Sequence, residues 1–175
     1  EEWFVLIHID IEMLAAPALK ALLPAQAAAL SGNVSELEAN LQVVADSLEK
    51  MNATMGRMPE HCDPYIYFNR VRPYIHGWKN SPYLPKGLIY EGVDAFKGEH
   101  QQFRGETGSQ SGIIPCFDAA LGLTHKADQL AVFLREMREY MPADHRAFLV
   151  QLEQAPLMRE IIRDRHGNEK GLKDA

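Results

Sequence analysis

Apolar side chains recur at helical spacing along most of this sequence, and this pattern limits the folds open to the chain more than any other feature. After Asn33, for example, Leu37, Leu41, Val44 and Leu48 mark one face. No segment shows the sustained two-residue alternation of a half-buried strand. A chain of 175 residues, 46% of them hydrophobic, can bury a substantial core. We therefore predict one all-α domain, a bundle of helices.

Prolines and capping residues divide the first half of the chain. Residues 2–30 are rich in Ala, Leu, Ile and Met, and their prolines predict two helical pieces with a break near Pro24. Ser31 or Asn33 can cap the next helix, and Asp63 can cap the one after it. These signals predict helices joined mostly by short turns.

The last third of the chain predicts further helices. The segment ADQLAVFLREMREYM at 127–141 has an apolar face, made by Leu130, Phe133, Leu134 and Met137. Its charged residues are expected to form a solvated outer face: Arg135, Glu136, Arg138 and Glu139. Pro142 and Pro156 open two more helices, and the final residues GLKDA resemble the beginning of another.

A long stretch rich in Pro and Gly separates these two sets of helices. It is too punctuated to be regular, so we predict an irregular loop at about 79–112. Within it, residues 105–112 are mostly small or carry hydroxyls, which suits either a flexible linker or close approach of the backbone to a ligand. The spacing is that of neither a phosphate loop nor a dinucleotide fingerprint. A long ordered loop in a compact helical domain is more often functional than decorative.

Charge and cysteine content exclude several classes of protein. The net charge of −6 is not accompanied by a clustered basic face, which argues against nucleic acid as a partner. Two cysteines, Cys62 and Cys116, are too few for a disulfide framework and lack zinc-site spacing, so a reducing, cytoplasmic setting is the default. The apolar run Trp3–Ile9 is too short to span a membrane, and no signal peptide is visible.

Aromatic residues concentrate between Asp63 and Gly92, which hold five Tyr, a Phe, a Trp and two Arg. If residues 65–72 are helical, Phe68 and Arg72 share a face. Such a pair suits a flat ligand that carries a carboxylate, but a buried ring beside a surface arginine gives the same spacing. Pro73 follows directly and predicts a bend or break there.

His8 lies beside the apolar stripe of the first helix. On a helix that is apolar nearly all round, a histidine is either a core residue with one satisfied hydrogen bond or a group that faces a cavity. Its spacing favours the core interpretation.

Five stretches of the sequence match one known family in order and in spacing. They are FVLIHIDIEMLAAPA at 4–18, YFNRVRPYIHGWKNSP at 67–82, GLIYEG at 87–92, GETGSQSGIIPCFDAALG at 105–122 and REYMPADHRAFLVQLE at 138–153. Through them the chain resembles the indoleamine 2,3-dioxygenase family of haem enzymes, which open the indole ring of tryptophan with dioxygen. The resemblance runs from end to end of the sequence.

This resemblance implies roles for individual residues. Phe68 and Arg72 fall where the family places the aromatic residue over the indole and the arginine that pairs with the substrate carboxylate. Phe4 and Tyr67 fall at aromatic positions of the pocket, with Tyr67 in place of the Phe of the animal enzymes. The segment that covers the substrate corresponds to Gly105, Glu106, Thr107 and Gly108, of which Gly105, Thr107 and Gly108 are also expected beside the cofactor.

At the position of His8 the animal enzymes carry Ser, whereas the related tryptophan 2,3-dioxygenases carry a distal His. The resemblance therefore favours an imidazole that faces the pocket. There it would accept a hydrogen bond from the indole N–H and take part in catalysis.

The implied cofactor is haem b, and the implied small-molecule partners are L-tryptophan or a related indole and O₂, with N-formylkynurenine as product. The proximal histidine that ligates the haem iron is expected downstream of Ala175, so no metal ligand is expected in this chain. We expect residues 1–175 to be part of one all-helical large domain whose N-terminal region lies outside this sequence. Two alternatives stay open: a haem enzyme of the same superfamily that acts on a different indole or aryl amino acid, and a helical relative without catalysis.

Overall fold

The computed structural model describes residues 2–125, 129–155 and 158–163. Its α-helices are α1 (Glu2–Ser31), α2 (Val34–Gly56), α3 (Pro64–Ile66), α4 (Arg72–Ile75), α5 (Ile113–Leu121), α6 (Gln129–Met137) and α7 (Ala143–Gln154), and residues 158–163 are also helical. Short 3₁₀ turns lie at Met58–Glu60, Asp94–Phe96, Gly108–Gln110 and Arg138–Tyr140, and a π-helical turn lies at Tyr67–Val71. The described residues contain no strand, and the predicted all-α class is confirmed.

Helix α1 is continuous, so the predicted break near Pro24 is wrong. Both of its prolines, Pro17 and Pro24, lie inside the helix on its exposed side. An interior proline costs about 3 kcal/mol. The opposite side of α1 carries a stripe of buried small residues, Ala15, Ala18, Ala21, Ala25, Ala28 and Ala29, which lets α1 pack closely on the neighbouring helices. Burial along 30 residues outweighs the local cost of the prolines.

The turn between α1 and α2 settles which residue caps α2. The Asn33 side chain accepts a hydrogen bond from the backbone N–H of Glu36 at 3.2 Å, whereas Ser31 is still part of α1. Asp63 caps α3 in the same way, since its carboxylate accepts from the N–H of Ile66 at 2.9 Å. The predicted caps at Asn33 and Asp63 are confirmed.

The core lies between α1, α2, α5, α7 and the helical residues 158–163. Its largest fully buried side chains are Leu22, Met137, Leu149, Leu152 and Met158. Among buried polar groups, the Gln26 amide N–H donates to the carbonyl of Leu152 at 3.4 Å and so joins α1 to α7.

The predicted irregular loop is present and has a small core of its own. Trp78, Tyr90, Phe96 and Phe103 pack together, with neighbouring ring centroids 5.6 to 5.9 Å apart. The indole N–H of Trp78 donates to the carbonyl of Gln101 at 3.1 Å, and Leu88 and Gln101 exchange backbone hydrogen bonds. Residues 105–112, for which a flexible linker is one interpretation, are attached separately, because the N–H of Gly105 donates to the carbonyl of His76 and the Gln110 side chain donates to the carbonyl of Gly105, both at 3.0 Å.

Helix α6 corrects one prediction about charge. Met137 is fully buried as predicted, and Arg135 and Glu139 are exposed. Glu136 is not part of a solvated face, because Lys79 and Arg104 from the long loop form ion pairs with it. Loop residues so far away in sequence cannot be assigned to a carboxylate from helical spacing alone.

Three predictions cannot be compared with the structure, because the side chain of Leu130, the helix start at Pro156 and the final GLKDA lie outside what it describes. Within the described ranges, none of the helices combines the length and apolarity that crossing a bilayer requires.

Candidate functional site

The orientation of His8 is fixed by its own helix. Nδ1 of the ring lies 2.8 Å from the carbonyl oxygen of Phe4, one turn earlier. A carbonyl only accepts, so in the neutral ring the proton is on Nδ1, which donates to Phe4. Nε2 is then left with a lone pair on the far side of the ring. The imidazole is half-buried and can accept a hydrogen bond from a ligand at Nε2.

Three rings join α1 to the π-helical turn. The ring of Phe4 lies 4.3 Å from His8 and stacks on Tyr67 at 4.7 Å, with 29° between the planes of the stacked pair. Aromatic pairs at these separations hold each other in place beyond the area that they bury. Tyr67 is half-buried, and its hydroxyl makes no hydrogen bond to a described residue.

Gly108 brings the long loop to His8. A Cβ placed on Gly108 would lie 3.8 Å from Nε2 of His8, which is ordinary van der Waals contact. The two residues line one cleft of about 1070 Å³ between α1, α2, α5 and α6. A second, shallower apolar hollow of about 470 Å³ on α1 is lined by Phe4, Val5, His8, Ile9, Glu12 and Met13. His8 and Glu12 therefore lie where the cleft meets the hollow.

The lining of the cleft is part apolar and part charged. Leu48, Met51, Met55, Ile113, Ile114 and Ala119 contribute apolar walls. Among its charged lining residues, Nε2 of His125 pairs with the Asp118 carboxylate at 2.7 Å, and Arg138 pairs with Glu153 at 2.7 Å.

The other predicted loop residues contribute to the shape of the segment. A Cβ on Gly105 would lie 1.7 Å from the carbonyl oxygen of Ile75, so the glycine is required where two backbones meet. The Thr107 hydroxyl accepts from the N–H of Ser109 at 3.4 Å and caps the following 3₁₀ turn. Glu106 is exposed. Gly108, alone among the four predicted loop residues, lines the cleft.

Phe68 and Arg72 lie on and directly after the π-helical turn. The N–H of Arg72 donates to the carbonyl of Tyr67, five residues back, and Pro73 follows with no N–H to give. Phe68 is 70% exposed. Arg72 is half-buried and forms no ion pair with a described residue, so its guanidinium is available to an anion. Neither residue lines the cleft or the hollow.

The same collinear pattern is found in comparisons with known proteins. The family model for indoleamine 2,3-dioxygenase matches residues 1–175. The chain belongs to the indoleamine 2,3-dioxygenase family. It is 41% identical to indoleamine 2,3-dioxygenase 1 of Mus musculus over 97% of this chain and 41% of that protein.

More distant members of the family match over the same span. Indoleamine 2,3-dioxygenase 2 of Homo sapiens is 36% identical over 91% of this chain and 38% of its own length. The 6-hydroxytryptophan 2,3-dioxygenase of Fusarium equiseti is 34% identical over 93% of this chain and 39% of its own length. The chain thus spans about 40% of the length of these relatives.

Sequence reasoning missed the ion pairs that attach the loop to α6. Both carboxylate oxygens of Glu136 are used, one by Lys79 and one by Arg104. Arg104 also lies over the ring of Phe133 at 5.4 Å, and its backbone N–H donates to the hydroxyl of Tyr140 at 3.1 Å. The only signal in the sequence was a row of charges on a helix, which is typical of a solvated surface.

Proposed function

We propose that this chain is part of a haem-dependent dioxygenase that opens the indole ring of L-tryptophan, or a related indoleamine, with O₂ to give N-formylkynurenine. The observation that carries the proposal is the meeting of Gly108 with Nε2 of His8 on a cleft with apolar walls, in a member of the indoleamine 2,3-dioxygenase family. Because the chain spans less than half of the length of its relatives, we assign the whole activity to the larger protein.

The cleft fits haem b in size and in chemistry. Its volume of about 1070 Å³ is slightly larger than that of ordinary ligand and cofactor sites, which are about 300–1000 Å³. Leu48, Met51 and Ile113 offer the apolar surface that a porphyrin face requires. The loop at Gly108 presents backbone without a side chain at the mouth of the cleft, as expected for a segment that covers the cofactor edge. When bound, the haem supplies activation of dioxygen.

His8 would orient the substrate. With its proton on Nδ1 held by the Phe4 carbonyl, Nε2 accepts a hydrogen bond from the indole N–H and is placed to receive that proton. The Phe4 ring, stacked on Tyr67, also packs against the imidazole at 4.3 Å and so limits its rotation. The acceptor atom Nε2 is therefore in place before the substrate binds, because the Phe4 carbonyl one helical turn earlier fixes the imidazole ring.

Arg72 and Phe68 would hold the rest of the substrate. Arg72 is a half-buried guanidinium without an ion pair in the described structure, which suits a bidentate contact with the substrate carboxylate. The exposed ring of Phe68 offers an apolar face to the indole. Gly105, Glu106 and Thr107 are proposed to act with them as the segment that closes over the substrate.

The test uses the complete protein, reconstituted with hemin. A Soret spectrum typical of histidine ligation and N-formylkynurenine formed from L-tryptophan are expected. His8→Ala should lower kcat/KM while the Soret spectrum is retained. A complete protein that binds hemin but forms no ring-opened product from any indole would refute the dioxygenase assignment and favour a relative without catalysis.

A ring-hydroxylated tryptophan is a second candidate substrate, which we propose from the position of Tyr67. Its hydroxyl is half-buried without a described partner, and a hydroxyl in that situation gains from a polar ligand group. The Fusarium equiseti relative is a 6-hydroxytryptophan 2,3-dioxygenase. Comparison of kcat/KM for tryptophan and ring-hydroxylated tryptophans, in wild type and Tyr67→Phe, decides between the substrates. A preference for the hydroxylated compound that Tyr67→Phe removes would support the second.

A cytoplasmic setting is part of the same proposal. It is supported by the two cysteines, Cys62 and Cys116, which are both free thiols.

A further inference from the structure

Two segments that flank the proposed substrate site are joined to each other before they reach α6. Residues 76–79 leave the helix that carries Arg72, and residues 103–105 precede Gly108. The N–H groups of Trp78 and Lys79 both donate to the carbonyl of Phe103, at 3.1 and 3.0 Å. The N–H of Gly105 donates to the carbonyl of His76 at 3.0 Å. The two segments therefore move as one unit.

One carboxylate of α6 receives both ion pairs from this unit, beside the contact of Arg104 with the Phe133 ring and its backbone hydrogen bond to Tyr140. Lys79 Nζ bonds Glu136 Oε1, and the Arg104 guanidinium bonds Glu136 Oε2 through Nη2 at 3.0 Å and Nε at 3.3 Å. All three side chains are largely withdrawn from solvent, with 33%, 23% and 23% exposure for Lys79, Arg104 and Glu136. Lys79, Arg104 and Glu136 together form the Glu136 cluster. Charge-assisted hydrogen bonds are about twice as strong as neutral ones, and the partial burial limits screening by salt.

We infer that Glu136 is a positioning residue, which holds the paired segments 76–79 and 103–105 on α6 and thereby sets both Arg72 and Gly108 relative to His8. The inference rests on the proposed function for its catalytic consequence, but the attachment itself does not. Three residues separate Arg104 from Gly108, and the Gly105 carbonyl between them accepts from the Gln110 side chain at 3.0 Å, so the connection is short and held.

Glu136 lines neither the cleft nor the hollow, so it acts on the site through other residues, and the route proposed is the loop. A change in the placement of Arg72 alters contacts that the substrate makes in the ground state. Removal of the carboxylate charge should therefore raise KM more than it lowers kcat. If Glu136 only stabilised the fold, its substitution would change the unfolding midpoint and leave the ratio of KM to kcat unchanged.

The experiment compares Glu136→Gln with Glu139→Gln in the complete, haem-loaded protein. Glu139 is a matched control, because it pairs with Arg146 at 3.0 Å on the same stretch of chain and does not touch the loop. Amide hydrogen exchange at Trp78, Lys79 and Gly105 is expected to accelerate about tenfold or more in Glu136→Gln and to stay near wild type in the control. KM for the amino acid should rise about tenfold, with kcat within about threefold of wild type.

A double variant tests whether the cluster acts as a unit. Glu136→Gln removes the acceptor of both cations, so combining it with Arg104→Gln should raise KM by clearly less than the product of the two single effects. Additive losses would overturn the inference.

Exchange rates in Glu136→Gln equal to those of Glu139→Gln would also overturn it. So would faster exchange with an unchanged KM, because the cluster would then be structural. If the wild-type protein binds no indole amino acid, the proposed function fails, while the exchange rates still decide whether Glu136 holds the two segments.

Discussion

Gly105→Ala is expected to release the loop from the rest of the domain. The new Cβ would lie 1.7 Å from the Ile75 carbonyl oxygen and 2.4 Å from the Gly77 nitrogen, which are both backbone atoms that no rotamer change can move. The paired segments must separate, and three hydrogen bonds are lost or stretched: those from Gly105 to His76 and from Trp78 and Lys79 to Phe103. At about 1 kcal/mol each, the loss is about 3 kcal/mol.

Two other glycines provide the controls. A Cβ on Gly108 meets only the His8 ring at 3.8 Å and should cost little stability, although it narrows the space beside Nε2. Gly56 ends α2 with no neighbour within 4 Å, and Gly56→Ala should be neutral or stabilising by up to about 1 kcal/mol.

The assay is urea unfolding of the three variants, together with hydrogen exchange at Leu88 and Gln101, which lie deeper in the loop. If the loop opens alone, its exchange rises and the global midpoint falls less than the full loss predicts. A Gly105→Ala protein as stable as Gly108→Ala, with unchanged loop exchange, would refute the argument from close backbone approach.

Three further outcomes are expected. Arg72→Ala should raise KM for the amino acid by about 10- to 100-fold with haem retained, which is the range for the loss of a charged hydrogen bond. Arg70→Ala, on the exposed side, should leave KM unchanged. Equal effects of the two variants would contradict the carboxylate contact. Burial raises the pKa of the Cys116 thiol to about 11, so an alkylating agent at pH 8 should modify Cys62 and spare Cys116 until the protein unfolds, and mass spectrometry of the two peptides checks this. The hydrogen bonds from Arg104 and Lys79 lower the pKa of the Glu136 carboxyl below its ordinary 4.5. The difference in unfolding free energy between wild type and Glu136→Gln, measured in urea, should therefore be full above pH 4.5 and disappear as the pH falls through the lowered pKa. A difference that persists in acid would exclude ionisation of Glu136 as its source.

Local patterns in the sequence were sufficient for much of the fold. The caps at Asn33 and Asp63 depend on residues within three positions, and the irregular loop follows from its prolines and glycines. The continuity of α1 past Pro24 was missed because it depends on packing against other helices, which no local rule contains.

The candidate site was also only partly predictable from local sequence patterns. Spacing left His8 open between core and cavity, and the structure places it on the cleft with Gly108, as the family resemblance favoured. The partners of Glu136 could not be predicted, because they come from a loop whose path is set by its own aromatic core. The proposed contacts of Phe68 and Arg72 with substrate stay predictions, since neither side chain borders the cleft in the described structure.

The alanine stripe of α1 has a consequence for how this family can diversify. The stripe begins at Ala15, and among the described residues before it Ile7 is the one buried position of the helix. Exposed residues such as Val5 and Ile9 can therefore be exchanged without disturbing the packing that keeps the domain folded. Substitutions on the first turns of α1 can thus change the surface of the hollow with little loss of folding stability.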